Sequence, residues 1–213
     1  MKDNVFFVSG IDTNVGKSYA TGYLAKTWNE QGVRTITQKF IQTGNVGMSE
    51  DIELHRKIMG TGLLPEDESG LTMPEIFTYP CSPHLAAEID HRPIDFDKIE
   101  KATRQLSETY DAVLLEGAGG LMVPLTRDLL TIDYVAQEKL SVDFCDFGKT
   151  GKHQPYFAES GGCNPSGYSP AYRAYNLFPE EDDDIIRRDT EAYISDLLAK
   201  EYPETHFVIV PKL

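Results

Sequence analysis

Residues 5–18 read Val5-Phe6-Phe7-Val8-Ser9-Gly10-Ile11-Asp12-Thr13-Asn14-Val15-Gly16-Lys17-Ser18. The first residues are apolar and rich in β-branched and aromatic side chains, which is typical of a buried strand. The chain then passes a glycine and a short polar loop and reaches Gly-Lys-Ser at the start of a helical pattern. A strand, a glycine loop, Gly-Lys-Ser and a helix in this order are the context of a phosphate-binding loop. The stretch therefore predicts a nucleotide site within an α/β fold.

This loop supplies the groups that a bound nucleotide needs. Its backbone N–H groups and the helix N-terminus would face phosphates, Lys17 would add a point charge, and the Ser18 hydroxyl could hold Mg²⁺. The predicted nucleotide contacts are Asn14, Val15, Gly16, Lys17, Ser18 and Tyr19. Five residues instead of the usual four separate Gly10 from Gly16, and a chance glycine turn is the alternative interpretation.

Length and charge narrow the class of protein. A chain of 213 residues can bury a continuous core, so we expect residues 1–213 to form one domain. The net charge of −14 comes with no basic stripe, so neither nucleic acid nor an anionic membrane is an expected partner. No apolar run has the length of a membrane span. The N-terminal residues lead directly into the first predicted strand, so we expect no signal peptide. The three cysteines lack metal spacing, and a reduced, cytoplasmic setting is expected.

The rest of the chain alternates between strand and helix patterns. Helical spacing is found in residues 18–31, 94–110, 129–140 and 185–200, and strand patterns in residues 34–41, 112–116 and 206–210. The strand–helix–strand opening predicts a parallel sheet. Residues 61–90 are rich in Pro and Gly, and we expect an irregular functional excursion there.

Charged side chains fall at places where parallel sheets bind ligands. Lys39 and Glu116 each end a predicted strand, and ligands of open α/β sheets bind beyond the carboxyl ends of the strands. Glu116 is well placed for Mg²⁺, whereas a solvated strand-end charge is the alternative for both residues. Asp51 begins a short helical pattern, where a carboxylate is favourable merely as a cap.

The motifs resemble those of the ATP-dependent dethiobiotin synthetase family, a branch of the P-loop NTPases. Four segments match. The first is the loop that ends at Ser18, and the second runs from Lys39 to Gly44. The third is Pro80-Cys81-Ser82-Pro83-His84, and the fourth is Val113-Leu114-Leu115-Glu116-Gly117-Ala118-Gly119-Gly120. The resemblance covers residues 4–142 and 175–213. Phe40 stands where the family usually has a proline, a change expected to loosen a turn.

The resemblance implies a fold and a reaction. The fold is a single doubly wound α/β domain with a mostly parallel sheet and helices on both faces. The reaction is closure of a cyclic urea, in which 7,8-diaminopelargonate, CO2 and ATP give dethiobiotin, ADP and phosphate. Mg²⁺ is the implied cofactor, ATP the co-substrate, and a homodimer with substrate near its interface the implied assembly.

The resemblance also implies roles for particular residues. Lys39, Lys17 and Thr13 would be catalytic, and Lys39, Thr43, Ser82 and Pro83 would contact the diamine. Ser18, Asp51 and Glu116 would hold Mg²⁺. Besides the loop residues, the nucleotide would contact Asp51, Glu116, Gly117, Ala118, Gly119, Asn176 and Pro211. His84 is open to two interpretations, a general base or a histidine satisfied locally.

Residues 144–173 interrupt this pattern. They are rich in Gly, Pro, Ser and Tyr and nearly free of aliphatic side chains, so we expect no central strand and no covering helix from residues 143–174. A natural insertion is one interpretation. The other is a shifted reading frame between two compensating sequence errors. Residues 144–173 can be back-translated into permissible codons, and reading these codons one base out of frame gives a different sequence. That sequence has the pattern of a strand, a Gly-Lys-Leu-Gly loop and an amphipathic helix. The family carries that pattern here and uses it at its dimer interface.

Two rival functions share the phosphate-binding loop. A nucleotide-dependent switch or partitioning protein would carry a second lysine directly after Gly10, where this chain has Ile11. Another ligase of the superfamily, such as a cobyrinate-type amidase-synthetase, usually adds a glutaminase domain, for which 213 residues leave no room.

Overall fold

The sheet and its covering helices alternate along the chain. The structure, a computed structural model, describes residues 4–10, 16–147, 172–176 and 206–210, and only the backbone of residues 143–147, 172–176 and 206–210. The elements are β1 Val5–Gly10, α1 Lys17–Glu30, β2 Thr35–Lys39, β3 Gln42–Thr43, α2 Glu50–Met59, α3 Pro65–Glu68, β4 Ile76–Phe77, α4 Pro83–Ile89, α5 Phe96–Thr109, β5 Ala112–Glu116, α6 Thr131–Glu138, β6 Ser141–Phe147, β7 Tyr172–Asn176 and β8 His206–Val210. None of the helices in these ranges is long and apolar enough to cross a lipid bilayer.

The main sheet is parallel at every described pairing. Within the described ranges its strand order is β2-β5-β1-β6-β7-β8, and β3 pairs with β4 in a separate small parallel ribbon. Lys39 at the end of β2 lies in register with Glu116 at the end of β5, and Glu116 is also in register with Val8 of β1. The carboxyl ends of three neighbouring strands therefore meet at one edge of the sheet, where ligands of α/β folds bind.

Helices cover both faces of this sheet. Successive strand residues point to opposite faces. Phe7 belongs to the apolar cluster that includes Ile99 of α5, whereas Val8 belongs to the cluster that includes Leu24 and Trp28 of α1. The predicted doubly wound α/β fold, with a parallel sheet between two helical layers, is confirmed.

The irregular excursion predicted for residues 61–90 is wrong in part. This segment contains α3, β4 and α4, and β4 joins β3 in the small ribbon. Pro65 and Pro83 occupy the first positions of α3 and α4. Proline is tolerated at the first turn of a helix, where its missing N–H would have no helical partner. The prolines that suggested irregular structure therefore mark two helix starts.

A central strand forms where composition argued against one. β6 runs from Ser141 to Phe147 between β1 and β7, and β7 continues from Tyr172 to Asn176. The expectation that residues 143–174 supply no central strand is therefore wrong. Backbone groups make the ladder hydrogen bonds, and any non-proline residue can contribute them. The covering helix expected to be missing here and the helix predicted for residues 185–200 lie outside the described residues.

Candidate active site

A cavity of about 780 Å³ opens at the carboxyl edge of the sheet. Its size lies in the range of small-molecule sites. The predicted site residues that line it are Gly16, Lys17, Ser18, Tyr19, Lys39, Thr43, Asp51, Ser82, Pro83, Glu116, Ala118 and Gly119. Gly16, Lys17 and Ser18, the described end of the predicted phosphate-binding loop, thus share one cavity with the predicted substrate residues. Thr13, Asn14, Val15 and Pro211 lie outside the described residues, and of Asn176 only the backbone, at the end of β7, is described.

Lys39 lies at the centre of the polar cluster in this cavity. Its Nζ is 2.5 Å from Asp51 Oδ2, 2.7 Å from Glu116 Oε1 and 3.3 Å from the carbonyl oxygen of Gly117. The Lys39 side chain is only 6% exposed. Burial acts to lower the pKa of Lys39, but the charges of Glu116 and Asp51 outweigh burial and raise that pKa above its ordinary value. Lys39 is therefore a buried cation at neutral pH, not a solvated strand-end charge.

Glu116 is the matching buried anion. Burial acts to raise the pKa of Glu116, yet the charge of Lys39 and the contact with His55 lower it well below its usual range. The Ser18 hydroxyl oxygen lies 2.9 Å from Glu116 Oε1 and 2.7 Å from Asp51 Oδ1. The structure thus brings together the hydroxyl and the two carboxylates predicted to hold Mg²⁺.

The chemistry of this donor set suits Mg²⁺. Magnesium prefers oxygen ligands and is usually held by one or two carboxylates together with waters and phosphate oxygens. Across the described part of the chain, no group of three or more His, Cys, Asp or Glu side chains forms a complete metal cage. The two carboxylates and the hydroxyl beside Lys17 are oxygen ligands of the kind that Mg²⁺ prefers.

Asp51 is not the cap of its helix. Ser49 caps α2, because its Oγ accepts a hydrogen bond from the backbone N–H of Ile52 at 3.2 Å and donates one to Gln42 Oε1 at 2.5 Å. This leaves the Asp51 carboxylate for Ser18 and Lys39. Ser49 is therefore the hydrogen-bonding cap of α2, and Asp51 is one of the acidic residues in its first turn.

The part of the cavity that contains the predicted substrate residues Thr43 and Ser82 is built from tight turns. Gly44 follows β3 with a φ of +82°, and an added Cβ would lie 2.8 Å from Pro80 Cβ. The turn after Thr43 and the loop before Ser82 consequently lie against each other across a position that only glycine fits. Ser82 Oγ lies 3.0 Å from His84 Nδ1, so one ring nitrogen of His84 has a local partner.

Phe40 strengthens the site instead of loosening it. Its backbone N–H donates to the carbonyl oxygen of Glu116 at 2.8 Å, a bond that proline could not make. Its buried ring packs 5.6 Å from the ring of Phe7 and 4.7 Å from that of Tyr134. The expected loosening at this position is wrong.

A buried polar chain behind Glu116 was not predicted from the sequence. His55 Nε2 lies 2.7 Å from Glu116 Oε2, and its Nδ1 lies 3.0 Å from Thr37 Oγ1. Arg56 donates to Thr37 Oγ1 and makes a two-point ion pair with Asp67. The spacing of Asp51 and His55 was the available signal, because residues four apart share one face of a helix.

A parallel sheet with a Gly-Lys-Ser loop, a buried lysine and two carboxylates at its carboxyl edge defines a P-loop nucleotide-binding protein. A family model described as an AAA domain matches residues 4–145. The signal recognition particle receptor FtsY from Elizabethkingia anophelis in complex with GDP superposes with a TM-score of 0.54 at 17% identity. That superposition covers 99% of this chain and 58% of the receptor, and at this identity it shows the fold alone.

Curated relatives are similar over nearly the whole chain. ATP-dependent dethiobiotin synthetase BioD 2 of Pasteurella multocida is 45% identical over 206 residues, which cover 97% of this chain and 96% of that protein. The protein of the same name from Haemophilus ducreyi is 40% identical over 98% of both chains. ATP-dependent dethiobiotin synthetase BioD of Chlorobaculum tepidum is 44% identical over 90% of this chain and 80% of its own. The chain belongs to the ATP-dependent dethiobiotin synthetase family.

Proposed function

We propose that this protein is an ATP- and Mg²⁺-dependent ligase that closes the ureido ring of dethiobiotin. It would join 7,8-diaminopelargonate to CO2 and convert ATP to ADP and phosphate, as a step of biotin biosynthesis. One observation carries the proposal beyond family membership. Buried Lys39 faces the same cavity as the phosphate-binding residues Lys17 and Ser18 and the predicted diamine contact Ser82.

The proposed sequence begins with CO2 and one amine of the diamine, which form a carbamate. The carbamate oxygen attacks the γ-phosphorus of ATP, ADP leaves, and a carbamic-phosphoric anhydride results. The second amine then attacks the anhydride carbon and phosphate leaves. Two anions, carbamate and triphosphate, must approach each other, and phosphoryl transfer depends chiefly on positioning and charge neutralisation.

The chain's own residues divide this work. Lys39, kept charged by Glu116 and Asp51, would neutralise the carbamate, while Lys17 would face the phosphates. Ser18, Asp51 and Glu116 would hold Mg²⁺, which when bound supplies further positive charge at the phosphates. Thr43 and Ser82, which line the same cavity, would orient the diamine.

Further parts of the proposal rest on the family resemblance. Thr13, Asn14, Val15, Asn176 and Pro211 would complete the nucleotide contacts. Residues 1–213 would form a single domain, two copies would associate with substrate near their interface, and the protein would act in the cytoplasm.

A coupling assay tests the proposed function. With ATP, Mg²⁺ and bicarbonate present, we expect ADP release to require 7,8-diaminopelargonate and to match dethiobiotin in a one-to-one ratio. Coupling is expected because the phosphoryl acceptor is a carbamate of the substrate. ADP release that proceeds equally well without the diamine would contradict the ligase and favour a nucleotide-dependent switch.

We also propose that residues 144–173 come from a shifted reading frame. Their composition supports this, as does the end of the family-model match at residue 145. Two compensating shifts preserve length, which agrees with the alignment of the Pasteurella multocida relative over 97% of this chain.

Resequencing the gene tests that proposal. We expect one inserted and one deleted base flanking the codons for residues 144–173. A protein made from the corrected gene should then form more dethiobiotin and more dimer than one made with the present residues. An in-frame gene that encodes the present residues unchanged would overturn the proposal.

A further inference from the structure

His55 is a fully buried histidine behind the cation site. It lies on α2 and has no exposed surface. Its Nε2 is 2.7 Å from Glu116 Oε2, whereas Glu116 Oε1 faces Ser18 and Lys39 in the cavity. His55 thus contacts one oxygen of Glu116 and leaves the other to the site.

The neighbours of the ring fix the direction of this hydrogen bond. The Glu116 carboxylate is paired with Lys39 at 2.7 Å and accepts hydrogen bonds, so Nε2 of His55 carries the proton and donates to Oε2. On the other side, Thr37 Oγ1 accepts from the Arg56 guanidinium at 2.8 Å, which leaves its own proton free for His55 Nδ1 at 3.0 Å. Nε2 is a donor whether the ring is neutral or charged.

The hydrogen bond also sets a distance between two carboxylates. Asp51 and His55 are one turn apart on α2, so a contact from His55 to β5 fixes how far Asp51 stands from Glu116. α1 supports α2 from behind, because a Cβ added to Gly22 would lie 3.2 Å from the Cα of His55. The helix therefore has little room to shift.

We propose that His55 is a positioning residue for the divalent cation. It holds Glu116 Oε2 so that Oε1 faces Ser18 and Lys39, and it keeps both carboxylates within hydrogen-bond distance of the Ser18 hydroxyl, where they would hold the ion. This inference rests on the proposed Mg²⁺-dependent function. Partners that orient metal ligands commonly change metal affinity by about 10- to 100-fold when they are removed.

The test is Mn²⁺ binding in the presence of a non-hydrolysable ATP analogue. Binding is measured from the electron paramagnetic resonance signal of free Mn²⁺. His55→Leu removes the donor, and we expect its Mn²⁺ affinity to fall by about 10- to 100-fold. His55→Gln should stay close to the wild type, because its amide nitrogen can reach the position of Nε2. His55→Asn is polar but too short to reach Glu116, and it should bind Mn²⁺ as weakly as His55→Leu.

Lys57→Gln is the matched control, since Lys57 lies on the exposed side of α2 two residues from His55. It should bind Mn²⁺ as the wild type does. Binding of the ATP analogue without metal should be equal in all folded variants. If His55→Leu fails to fold, the Mn²⁺ affinities of His55→Gln and His55→Asn are compared instead. The proposal would be overturned if His55→Asn and His55→Gln bound Mn²⁺ with equal affinity. It would also be overturned if the Mn²⁺ affinity of His55→Leu equalled that of the Lys57→Gln control.

This readout needs no product. A wild type that binds Mn²⁺ with the analogue but forms no dethiobiotin would count against the proposed function alone. A wild type that forms dethiobiotin while His55→Asn keeps full Mn²⁺ affinity would count against the role of His55 alone.

Discussion

Lys39→Ala is expected to lower the rate of dethiobiotin formation by about two to three orders of magnitude, the usual loss when one preorganised charge is removed from an active site. Lys39 is buried and held within 2.7 Å of two carboxylates, so its charge is fixed where the carbamate and the γ-phosphate would meet. Alanine removes that charge and leaves Asp51 and Glu116 facing each other. The measurement is dethiobiotin formation at saturating ATP and diamine.

Lys101→Ala provides the matched control for Lys39. Lys101 is an exposed lysine of α5, away from the carboxylate cluster, and its loss should leave the rate unchanged. Circular dichroism would show whether the Lys39 variant is folded. A folded Lys39→Ala protein that forms dethiobiotin at the control rate would exclude Lys39 from the chemistry.

Asp67→Ala is expected to lower the free energy of unfolding by about 3–5 kcal/mol, the usual cost of breaking a buried ion pair on one side. Arg56 and Asp67 are each about 2% exposed, and the guanidinium makes two bonds of 2.8 Å to the carboxylate. Alanine would leave the Arg56 charge buried without its counter-charge. Urea denaturation followed by circular dichroism measures the difference.

An exposed pair of similar geometry serves as control for Asp67. Arg34 and Asp111 also bond at two points, but their side chains are 68% and 46% exposed. Because water already solvates both ions, Asp111→Ala should change the unfolding free energy far less than Asp67→Ala does. Equal losses from the two substitutions would contradict the account of the buried pair.

The stability that Asp67 contributes should depend on pH. Burial acts to raise the pKa of Asp67, but hydrogen bonds from Arg56, from the Leu64 N–H and from Thr72 outweigh burial and lower it. A carboxyl whose pKa is lower in the folded state stabilises the fold above its unfolded pKa and loses that contribution as pH falls through the folded pKa. The stability gap between the wild type and Asp67→Asn should therefore narrow in acid. A difference in unfolding free energy between the two proteins that widens in acid would contradict the lowered pKa of Asp67.

Local patterns predicted the elements that carry the site. Each of these elements is defined by residues that are close in sequence, so the local hydrophobic pattern is enough to predict it. They are the apolar run before Gly10, the helix that starts at Gly-Lys-Ser and the apolar strand before Glu116. Lys39 could be found because the end of a parallel strand is a known place for ligands. The resemblance then joined these positions to Ser82, which lies in the same cavity.

Contacts between distant residues escaped sequence reasoning. Arg56 and Thr37 are 19 residues apart, and His55 and Glu116 are 61 apart, so no local pattern connects them. A histidine and an arginine on a helix usually suggest a solvated face, and only the packing of α2 on the sheet reveals them as buried. β6 was not predicted for a different reason. A central strand is stabilised by backbone pairing with its neighbours, and this pairing cannot be inferred from amino-acid composition.

The most direct test of the account is product analysis with ¹³C-labelled bicarbonate, unlabelled 7,8-diaminopelargonate, ATP and Mg²⁺, using wild-type protein from a resequenced gene. We expect dethiobiotin that is one mass unit heavier, with the label in the ureido carbonyl, and one ADP for each molecule formed. ADP accumulation without labelled dethiobiotin would contradict the proposed ring closure.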